Sequence, residues 1–365
     1  MKVLQLTVHF SPNLGGVETH LDDLVKELTE LKHQVFVLTY RPLSTNSVWS
    51  MWEKRPLLKI LRLPWLPGLF NKLSTYPTLE FLYLAPGLFI TLPFILILSR
   101  PQVIHSHGLV AGFVATFWGR LFNIRTVNST HSIYHFPNSG LYRTLARYVF
   151  LTTNQTLCLS NQSLSEVLSL GVPADRVHRF TYWVDLEKFR PHDKLPCKRK
   201  LGWKGKITVL FVGRLVAEKG IPQLLQAAQL FRKGIDLKIA GSGPLESTLG
   251  KYYVGRISQD ILPIYYSAAD IVVVPSTHEE GFGRVILESL ACGTPVVAAN
   301  RGAIPEAVDE SVGMLIDITP QNIAQAVNTL SADAKMRSKL ANAAIAFAKT
   351  RYSHRNISAI TDSYK

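Results

Sequence analysis

Short apolar runs alternate with longer segments of helical periodicity along the first half of the chain. Val3–Val8 and Gln34–Thr39 have the length and apolar content of buried strands, and Val17–Leu31 between them has apolar positions spaced for a helix. The later predicted elements in this half are a strand at Gln102–Ser106, a helix at Leu109–Phe122, a strand at Arg125–Asn128, a helix at Leu141–Thr152 and a strand at Thr156–Leu159. Such alternation is typical of a doubly wound α/β domain with a parallel sheet.

The second half of the chain repeats this pattern. Its predicted elements are a strand at Ile207–Val212, a helix at Ile221–Phe231, strands at Leu237–Ala240 and Ile271–Val274, a helix through Glu288, a strand at Pro295–Ala298 and a long helix from Pro320 to Lys349. The sequence therefore predicts two Rossmann-like domains, 1–185 and 186–350, that face each other across a cleft. We interpret the strongly basic stretch from Asp185 to Lys206 as a solvated linker at the join.

The segment from Arg41 to Arg100 interrupts the alternation. Tryptophans and basic residues are interleaved in its first part, and it ends in an uncharged run of eighteen residues, Phe81–Leu98. That length is barely sufficient for a membrane span, but two prolines and a glycine interrupt the run and a predicted strand follows at once. Three alternatives remain open for this run: a membrane span, a buried internal helix and a helix at the membrane interface. The basic and aromatic neighbours favour a membrane-docking insertion.

Composition narrows the range of partners. The 365 residues carry a formal net charge of +14, which favours a polyanionic partner, either nucleic acid or an anionic membrane surface. No zinc-ligand cluster, RNA-binding signature or repeat supports binding to nucleic acid, so we expect no nucleic-acid partner. Cys158, Cys197 and Cys292 lack metal-ligand spacing, and the N-terminal residues lack the features of a signal peptide. We therefore expect a cytoplasmic protein that is peripheral on the cytosolic face of a membrane.

The most informative segment places Glu280 and Glu288 eight positions apart around Gly281-Phe282-Gly283. A predicted strand precedes this loop and a predicted helix follows it, so the loop presents free backbone N–H groups and a positive helix end to a phosphate. Carboxylates can accept paired hydrogen bonds from the vicinal hydroxyls of a hexose or a ribose. A surface helix with an acidic first turn is the alternative, but the glycines and the flanking strands favour a nucleotide-sugar site.

Two further loops follow predicted strands. Gly15 and Gly16 allow close approach of a ligand beside a helix N-terminus, although a tight turn explains them equally well. They do not form a Gly-x-Gly-x-x-Gly fingerprint, which disfavours a dinucleotide cofactor and a dehydrogenase. Arg214 and Lys219 flank the corresponding loop of the second half, where two cations can neutralise a diphosphate. No Asp-x-Asp pair is present for a divalent metal, so we expect neither a metal nor a cofactor.

Histidines follow two predicted strands of the first half. His107 and His131 lie where ligand residues gather in such sheets, and we expect His131 to be functional and His107 to lie on the acceptor side. A structural role is the alternative for each. By strand alternation we expect His105 to point away from His107.

Taken in chain order, these motifs resemble the retaining glycosyltransferases of family 4, which have the GT-B fold. The resemblance extends from VHFSPNLGGVETHL through VGRLVAEKG and AGSGPL to HEEGFGRVILESLACGTPVVAANRGAIPEAV. It implies that the C-terminal segment, 351–365, crosses back to the first domain. It also implies a metal-independent reaction in which the leaving phosphate helps to deprotonate the acceptor hydroxyl, with no protein nucleophile.

The resemblance also implies roles for individual residues. Arg214 and Lys219 correspond to the pair that binds the donor diphosphate, Glu280 to the glutamate facing the donor sugar, and Glu288 to the glutamate that binds ribose. His131 corresponds to the active-site histidine. The remaining donor-site positions, which contribute loop backbone, are Gly15, Gly16, Gly213, Gly281, Phe282, Gly283, Arg284 and Val285. Tyr182-Trp183-Val184-Asp185 departs from the Asn-Gly-Val-Asp of many relatives, and we transfer no role to it.

Three short motifs, GGVETH, IHSHG and THS, are most similar to those of family members with lipid acceptors, including phosphatidylinositol N-acetylglucosaminyl and mannosyl transferases. They imply a nucleotide-diphosphate sugar as donor and a lipid-linked or glycan acceptor. Two alternatives stay open. One is a UDP-sugar epimerase of GT-B fold, and the other is a non-catalytic sugar-nucleotide-binding subunit of a membrane glycosylation complex.

Overall fold

The computed structural model describes residues 1–13, 15–43, 47–66, 70, 72–73, 76–204 and 206–365. The chain forms two compact units. One consists of Met1–Thr181 together with Asn356–Lys365, and the other consists of Tyr182–Arg355. The boundary thus lies four residues before the predicted one, and the C-terminal residues from Asn356 onward belong to the unit that contains the N-terminus.

An eight-stranded sheet forms the centre of the first unit. Its strands are β1 (Lys2–Thr7), β2 (Gln34–Tyr40), β3 (Trp52–Arg55), β4 (Leu58–Leu63), β5 (Val103–His107), β6 (Arg125–Thr130), β7 (Gln155–Cys158) and β8 (Val177–Arg179). Their order is β3-β4-β2-β1-β5-β6-β7-β8, and all neighbours are parallel except β3 and β4. The helices of this unit in the described residues before Thr181 include α1 (Gly16–Glu30), α2 (Pro77–Ser99), α3 (Leu109–Leu121), α4 (Leu141–Thr152) and α5 (Asn161–Ser169).

The chain order reverses between β1 and β5. From β1 the chain continues to β2 on one side, whereas β5 lies on the other side. Thr7 pairs with His107, so the carboxyl ends of the two strands lie side by side. Doubly wound sheets bind ligands at such a switch point, at the carboxyl edge of the strands.

The segment 41–100, which the sequence predicts as a membrane-docking insertion, contributes two strands and a helix to the first unit. Strand β4 pairs with β2, and β3 extends the sheet beyond it. Helix α2 packs on the sheet, because the Tyr40 hydroxyl donates to the Leu84 carbonyl and accepts a hydrogen bond of 3.1 Å from the Leu88 amide. Aromatic contacts join α2 to α3, with the rings of Phe89 and Phe117 4.9 Å apart. Pro86 lies inside the continuous helix.

A six-stranded parallel sheet forms the centre of the second unit. Its strands are β9 (Ile207–Arg214), β10 (Ile235–Ser242), β11 (Tyr253–Gly255), β12 (Ile271–Val274), β13 (Val296–Ala299) and β14 (Gly313–Ile316), in the order β11-β10-β9-β12-β13-β14. The helices of this unit are α6 (Lys194–Lys200), α7 (Ile221–Ala228), α8 (Leu262–Ala268), α9 (Arg284–Ala291), α10 (Ile304–Ala307), α11 (Pro320–Ala332) and α12 (Ala334–Arg351). The last helix, α13 (Ile357–Ser363), belongs to the first unit.

Two predictions for the second unit are wrong. The long helix from Pro320 to Lys349 is two helices, because the Asp333 side chain accepts a hydrogen bond of 2.8 Å from the Met336 amide and caps a new helix. The basic stretch assigned to a linker contains helix α6. Lys194 and Lys198 of this helix form ion pairs of 2.9 and 2.6 Å with Asp270, which also accepts the Thr208 amide. Two of the charges that suggested a solvated linker therefore anchor α6 to the unit, whereas Arg199, Lys200, Lys204 and Lys206 are exposed.

Candidate active site

The end of β9, the loops after β9 and β12, and helix α9 together carry most of the predicted donor residues. β9 and β12 are neighbours, with β10 and β11 on one side and β13 and β14 on the other, so the chain order reverses between them. The loop after β9 holds Lys219, and that after β12 holds Glu280. Arg214 ends β9 and is exposed. The second unit thus has its own switch point, and the three residues lie on the two strands and loops that form it.

Direct contacts hold the two loops together. The Glu218 carbonyl accepts a hydrogen bond of 2.9 Å from the Thr277 amide and lies 3.0 Å from His278 Nδ1. Gly220 has φ 74°, and a Cβ atom there would lie 1.8 Å from the Pro275 carbonyl oxygen. Only glycine fits both this backbone angle and this close approach, so the glycine at the end of the basic loop fixes the spacing of the site.

An ion pair joins two residues to which different roles were assigned. Lys219 Nζ lies 2.9 Å from Glu280 Oε1, and the Ser276 hydroxyl donates to the same carboxylate. Burial alone would raise the pKa of Glu280, but the Lys219 ammonium and the Ser276 hydroxyl outweigh burial and lower the pKa below its ordinary value. The carboxylate is therefore ionised at neutral pH beside a cation, as a site for a charged, hydroxyl-bearing ligand requires.

Glu288 points into the second unit. Its Oε1 lies 3.2 Å from Arg284 Nε and its Oε2 accepts a hydrogen bond of 2.8 Å from the Tyr266 hydroxyl. The Arg284 guanidinium also donates to the Trp183 carbonyl at 3.3 Å. Sequence reasoning assigned only backbone to Arg284 and did not find Tyr266. No spacing signal marks Tyr266, whereas the four-residue separation of Arg284 and Glu288 on a predicted helix indicates an ion pair.

The loop before α9 supplies backbone rather than side chains. Gly283 precedes helix α9 and has φ 86°. The first N–H groups of a helix have no carbonyl partner within the helix, and in α9 these groups include the amides of Arg284 and Val285. The Phe282 ring is buried against Tyr182 and Tyr352.

Close approach also occurs at the end of β9. A Cβ atom at Gly241 would lie 1.8 Å from the Gly213 carbonyl oxygen. The backbone beside Arg214 is therefore tightly fixed.

The first unit contains a chain of buried and partly buried hydrogen bonds that includes His131. His131 Nε2 lies 2.9 Å from His107 Nδ1, His107 Nε2 lies 2.7 Å from Gln5 Oε1, and the Gln5 amide donates to the Tyr364 hydroxyl at 3.2 Å. Because Gln5 Oε1 only accepts, His107 carries its proton on Nε2, and its Nδ1 accepts from His131. The network thus selects the tautomer of both histidines.

The two histidines are neutral at physiological pH. Burial lowers the pKa of His131 to about 3 and places the pKa of His107 well below its ordinary value. The prediction that His105 points away from His107 is wrong, since their ring centroids are 4.3 Å apart. Side chains alternate with a period of two along a strand, so residues two apart share a face.

A cavity of about 410 Å³ opens beside these histidines. His107 and His131 line it, together with Glu18 near the start of α1 and Glu80 in the first turn of α2. Gly15 lies against Glu18, since a Cβ atom at Gly15 would lie 2.2 Å from the Glu18 carboxylate. Gly16 begins α1, and Leu14 of the predicted glycine loop lies outside the described residues. Within the described part of the chain, no group of three or more His, Cys, Asp or Glu side chains has metal-binding geometry.

Two family models match the chain, Glycosyltransferase Family 4 over residues 14–188 and Glycosyl transferases group 1 over residues 196–347. The D-inositol 3-phosphate glycosyltransferase of Thermomonospora curvata is 31% identical over 68% of this chain and 68% of the relative. In Arabidopsis thaliana, one subunit of the phosphatidylinositol N-acetylglucosaminyltransferase is 26% identical over 90% of this chain and 73% of the relative.

Solved structures show the same fold. Sucrose-phosphate synthase from Thermosynechococcus elongatus has a TM-score of 0.82 at 22% identity and covers 99% of this chain and 97% of its own. HepE of Anabaena in complex with UDP has a TM-score of 0.77 at 21% identity, with 99% of this chain and 98% of its own covered.

Proposed function

Because the chain belongs to glycosyltransferase family 4, we propose that it transfers a hexose from a nucleotide-diphosphate sugar to a hydroxyl of a lipid-linked acceptor, with retention of the anomeric configuration. Activity as a glycosyltransferase follows from the family. The donor, the stereochemistry, independence of divalent metal and action at the cytosolic membrane surface are the further content of this proposal.

One observation carries the donor assignment. Lys219 and Glu280 are paired at 2.9 Å at the switch point of the second unit, and Arg214 is exposed at the end of the adjoining strand. Two cations suit a diphosphate, and an ionised carboxylate beside them suits the hydroxyls of a sugar. The solved structure of HepE with UDP supports a uridine nucleotide as one donor to test.

These residues would act mainly by stabilising the leaving group. In the proposed step the acceptor oxygen forms a bond to the anomeric carbon while the bond from that carbon to the diphosphate oxygen breaks. The acceptor proton passes to the leaving phosphate. Arg214 and Lys219 balance the charge that develops on the diphosphate, a type of contact worth about 3–4 kcal/mol in the transition state. Amides at the start of α9 add further donors to the phosphate.

His131 would contribute hydrogen bonding rather than charge. Its lowered pKa keeps the imidazole neutral, and the network through His107 and Gln5 fixes its orientation. A neutral, oriented imidazole can bind a hydroxyl of the sugar or the acceptor without attracting the anionic diphosphate. The neutral imidazole and its fixed orientation support the proposed role of His131.

Helix α2 supports action at a membrane surface. One side of the helix is buried in the first unit, and the other side exposes apolar residues along its whole length, with Leu82 61% and Phe94 63% exposed. The other exposed apolar residues on this face are Leu79, Pro86, Ile90, Ile97 and Leu98. Of the described helices, α2 alone has the length and composition to cross a bilayer, with a mean hydropathy of 2.3.

We infer that α2 lies in the membrane interface rather than across the bilayer. Spanning would remove its buried face from contact with the sheet, whereas lying flat covers only the apolar face that water now meets. Phe117, Leu121 and Arg120 are exposed on the neighbouring helix α3 and extend this surface. The names of the relatives, which include a phosphatidylinositol N-acetylglucosaminyltransferase subunit, support a lipid acceptor for this chain.

The proposal is tested with purified protein, phosphatidylinositol-containing vesicles, and UDP-glucose, UDP-N-acetylglucosamine or GDP-mannose, each with and without EDTA. We expect one donor to be consumed, its sugar to appear on the lipid with the donor's anomeric configuration by NMR, and EDTA to have no effect. Donor epimerisation without acceptor would instead identify an epimerase. Donor that binds and is never altered would identify a non-catalytic subunit.

A further inference from the structure

We propose that Tyr364, in the C-terminal segment, is a positioning residue for the transfer reaction. Its hydroxyl fixes the direction of the Gln5 amide, and through His107 that direction sets which ring nitrogen of His131 carries the proton. This role rests on the proposed function, in which His131 binds a hydroxyl group of the sugar or the acceptor. Tyr364 would act only through the residues between it and His131.

Tyr364 is held at the centre of a buried network. Its hydroxyl lies 3.2 Å from Gln5 Nε2 and 2.8 Å from His105 Nδ1. The rings of Tyr364 and His105 pack edge to face with centroids 5.6 Å apart, and Arg125 Nε donates a hydrogen bond of 3.0 Å to the Ser363 carbonyl. Burial raises the pKa of Tyr364 above its ordinary value, so the hydroxyl keeps its proton. A fixed hydroxyl with one proton therefore lies between Gln5 and His105.

That single proton couples the two partners of the hydroxyl. Gln5 Nε2 donates to the Tyr364 oxygen, so the Tyr364 proton points to His105 Nδ1, which accepts it. Burial lowers the pKa of His105 to about 3, so its ring is neutral and carries one proton. That proton lies on Nε2, which is 2.7 Å from Ser129 Oγ. The direction of the Gln5 amide and the tautomer of His105 are thus set together at Tyr364.

The other end of the Gln5 amide transmits this arrangement to His131. With its N–H group directed to Tyr364, Gln5 presents Oε1 to His107 Nε2 at 2.7 Å. His107 therefore donates from Nε2 and accepts at Nδ1 from His131 Nε2, which is 2.9 Å away. His131 Nδ1 then bears a lone pair, to which a hydroxyl group of a ligand can donate. A reversed Gln5 amide would move the His131 proton to Nδ1, which could then only donate.

The Tyr364 hydroxyl supplies the preference between the two amide directions. In Tyr364→Phe, either the N–H group or the oxygen of Gln5 would face an apolar ring without a partner, and each choice leaves one buried polar group unsatisfied. Both tautomers of His107 and His131 would then be populated. The phenylalanine ring fills the same buried space, so the variant changes hydrogen bonding and leaves packing intact.

The test compares Tyr364→Phe with Tyr40→Phe. Tyr40 is also buried in the first unit, and its hydroxyl makes two hydrogen bonds, to Leu84 and Leu88 of α2. Nitrogen-15 NMR of histidine-labelled protein distinguishes ring nitrogens that carry a proton from those that do not, and His131→Gln identifies the His131 signals by their loss. We expect the His131 proton on Nε2 in wild-type and Tyr40→Phe protein, and both tautomers in Tyr364→Phe.

Transfer kinetics connect the tautomer of His131 with the reaction. Transfer from UDP-glucose, UDP-N-acetylglucosamine or GDP-mannose to phosphatidylinositol in vesicles gives kcat, and titration calorimetry with UDP and GDP gives nucleotide affinity. We expect Tyr364→Phe to lower kcat about tenfold, since one hydrogen bond from a correctly set His131 is lost in the transition state. Nucleotide affinity should be unchanged, and Tyr40→Phe should retain the wild-type kcat.

The positioning role and the proposed function fail on different results. A wild-type His131 with its proton on Nδ1 would contradict the assigned direction, and this reading requires no variant to fold. An unchanged His131 tautomer or an unchanged kcat in folded Tyr364→Phe, or an equal loss of kcat in both tyrosine variants, would leave Tyr364 with a structural role alone. Wild-type protein that holds the predicted tautomer and binds nucleotide but transfers no sugar would overturn the proposed function, and the positioning role with it.

Discussion

The pair formed by Lys219 and Glu280 shows how roles inferred residue by residue become coupled in the fold. The sequence assigned the lysine to a diphosphate and the glutamate to a sugar, and the structure places their charged atoms 2.9 Å apart. A donor bound across the pair would meet both charges at once. Glu280 is held ionised by Lys219 and Ser276, so it can accept two hydrogen bonds from sugar hydroxyls.

We predict that Glu280→Gln lowers kcat about a hundredfold or more, because it removes a preorganised charge beside the reacting sugar. The glutamine also leaves Lys219 without its carboxylate partner, so donor affinity should change less than kcat. Steady-state kinetics with saturating acceptor measures both quantities. Glu310→Gln, at an exposed position of the same unit, is the matched control. Full turnover in Glu280→Gln would contradict the role assigned to the carboxylate.

Glu288 differs from Glu280 because both of its oxygens already have partners inside the second unit. Glu288→Ala would leave the Arg284 guanidinium buried without its ion pair, which costs about 3–5 kcal/mol of stability. Tyr266→Phe removes only a hydroxyl and should cost about 1–3 kcal/mol, since the Arg284 pair remains. Urea unfolding measures both.

Donor binding then separates the two functions of this glutamate. If Glu288 also binds ribose, Tyr266→Phe should retain donor affinity and Glu288→Ala should lose it even where the protein is fully folded. Equal donor affinity in folded Glu288→Ala and wild-type protein would leave Glu288 with a structural role alone.

At the scale of elements, alternation predicted most strands but missed the two strands of segment 41–100 as well as β8, β11 and β14. Buried Arg62 in β4 explains part of this failure. Its guanidinium lies 3.1 Å from Glu53 and donates to the Ser11 carbonyl at 3.0 Å, so a charged residue occupies an inward position. A hydrophobic pattern cannot indicate a position where an ion pair replaces an apolar side chain. The break at Asp333 was missed because neither glycine nor proline separates the two helices.

Helix α2 gives the element-scale prediction. Phe94→Ser removes an exposed aromatic side chain from the apolar face, so it should weaken binding to phosphatidylinositol-containing vesicles about ten- to hundredfold, as expected for about 1.5–3 kcal/mol of apolar burial. Its folding should be unchanged because the side chain meets water in the free protein. Vesicle co-sedimentation measures binding, with Leu230→Ser, an exposed leucine of the second unit, as control. Equal binding by both variants would show that α2 does not dock on the membrane.

For the whole molecule, the predicted fold class is confirmed in its two α/β units with largely parallel sheets, and the family is confirmed by the two matching models. These features follow from local periodicity and from short motifs, which a sequence displays directly. Contacts between residues that are far apart in the sequence were harder to predict. Tyr364 contacts Gln5 and lies 2.8 Å from His105 Nδ1, and no local pattern indicates that the last residues complete a network beneath His131.

The positions of the candidate site residues followed from topology where the strands before them were predicted. Lys219, Glu280, His107 and His131 all follow or end predicted strands at the carboxyl edge of a sheet, and the structure places them there. The directions of the side chains were not predicted from topology. Glu288 points inward, and His105 and His107 share one face of their strand. The cavity beside Glu80 arises from α2, an element whose packing the sequence left undecided.

Titration calorimetry with UDP, GDP and ADP, in buffer with and without EDTA, tests the central claim most directly. The account predicts that one nucleotide binds wild-type protein with the same affinity in both buffers. Arg214→Ala should weaken that binding about tenfold or more, because a charge-assisted contact to the diphosphate is lost, while the exposed Arg232→Ala retains it. Failure of folded protein to bind any of the three nucleotides, or equal binding by Arg214→Ala, would contradict the donor site proposed here.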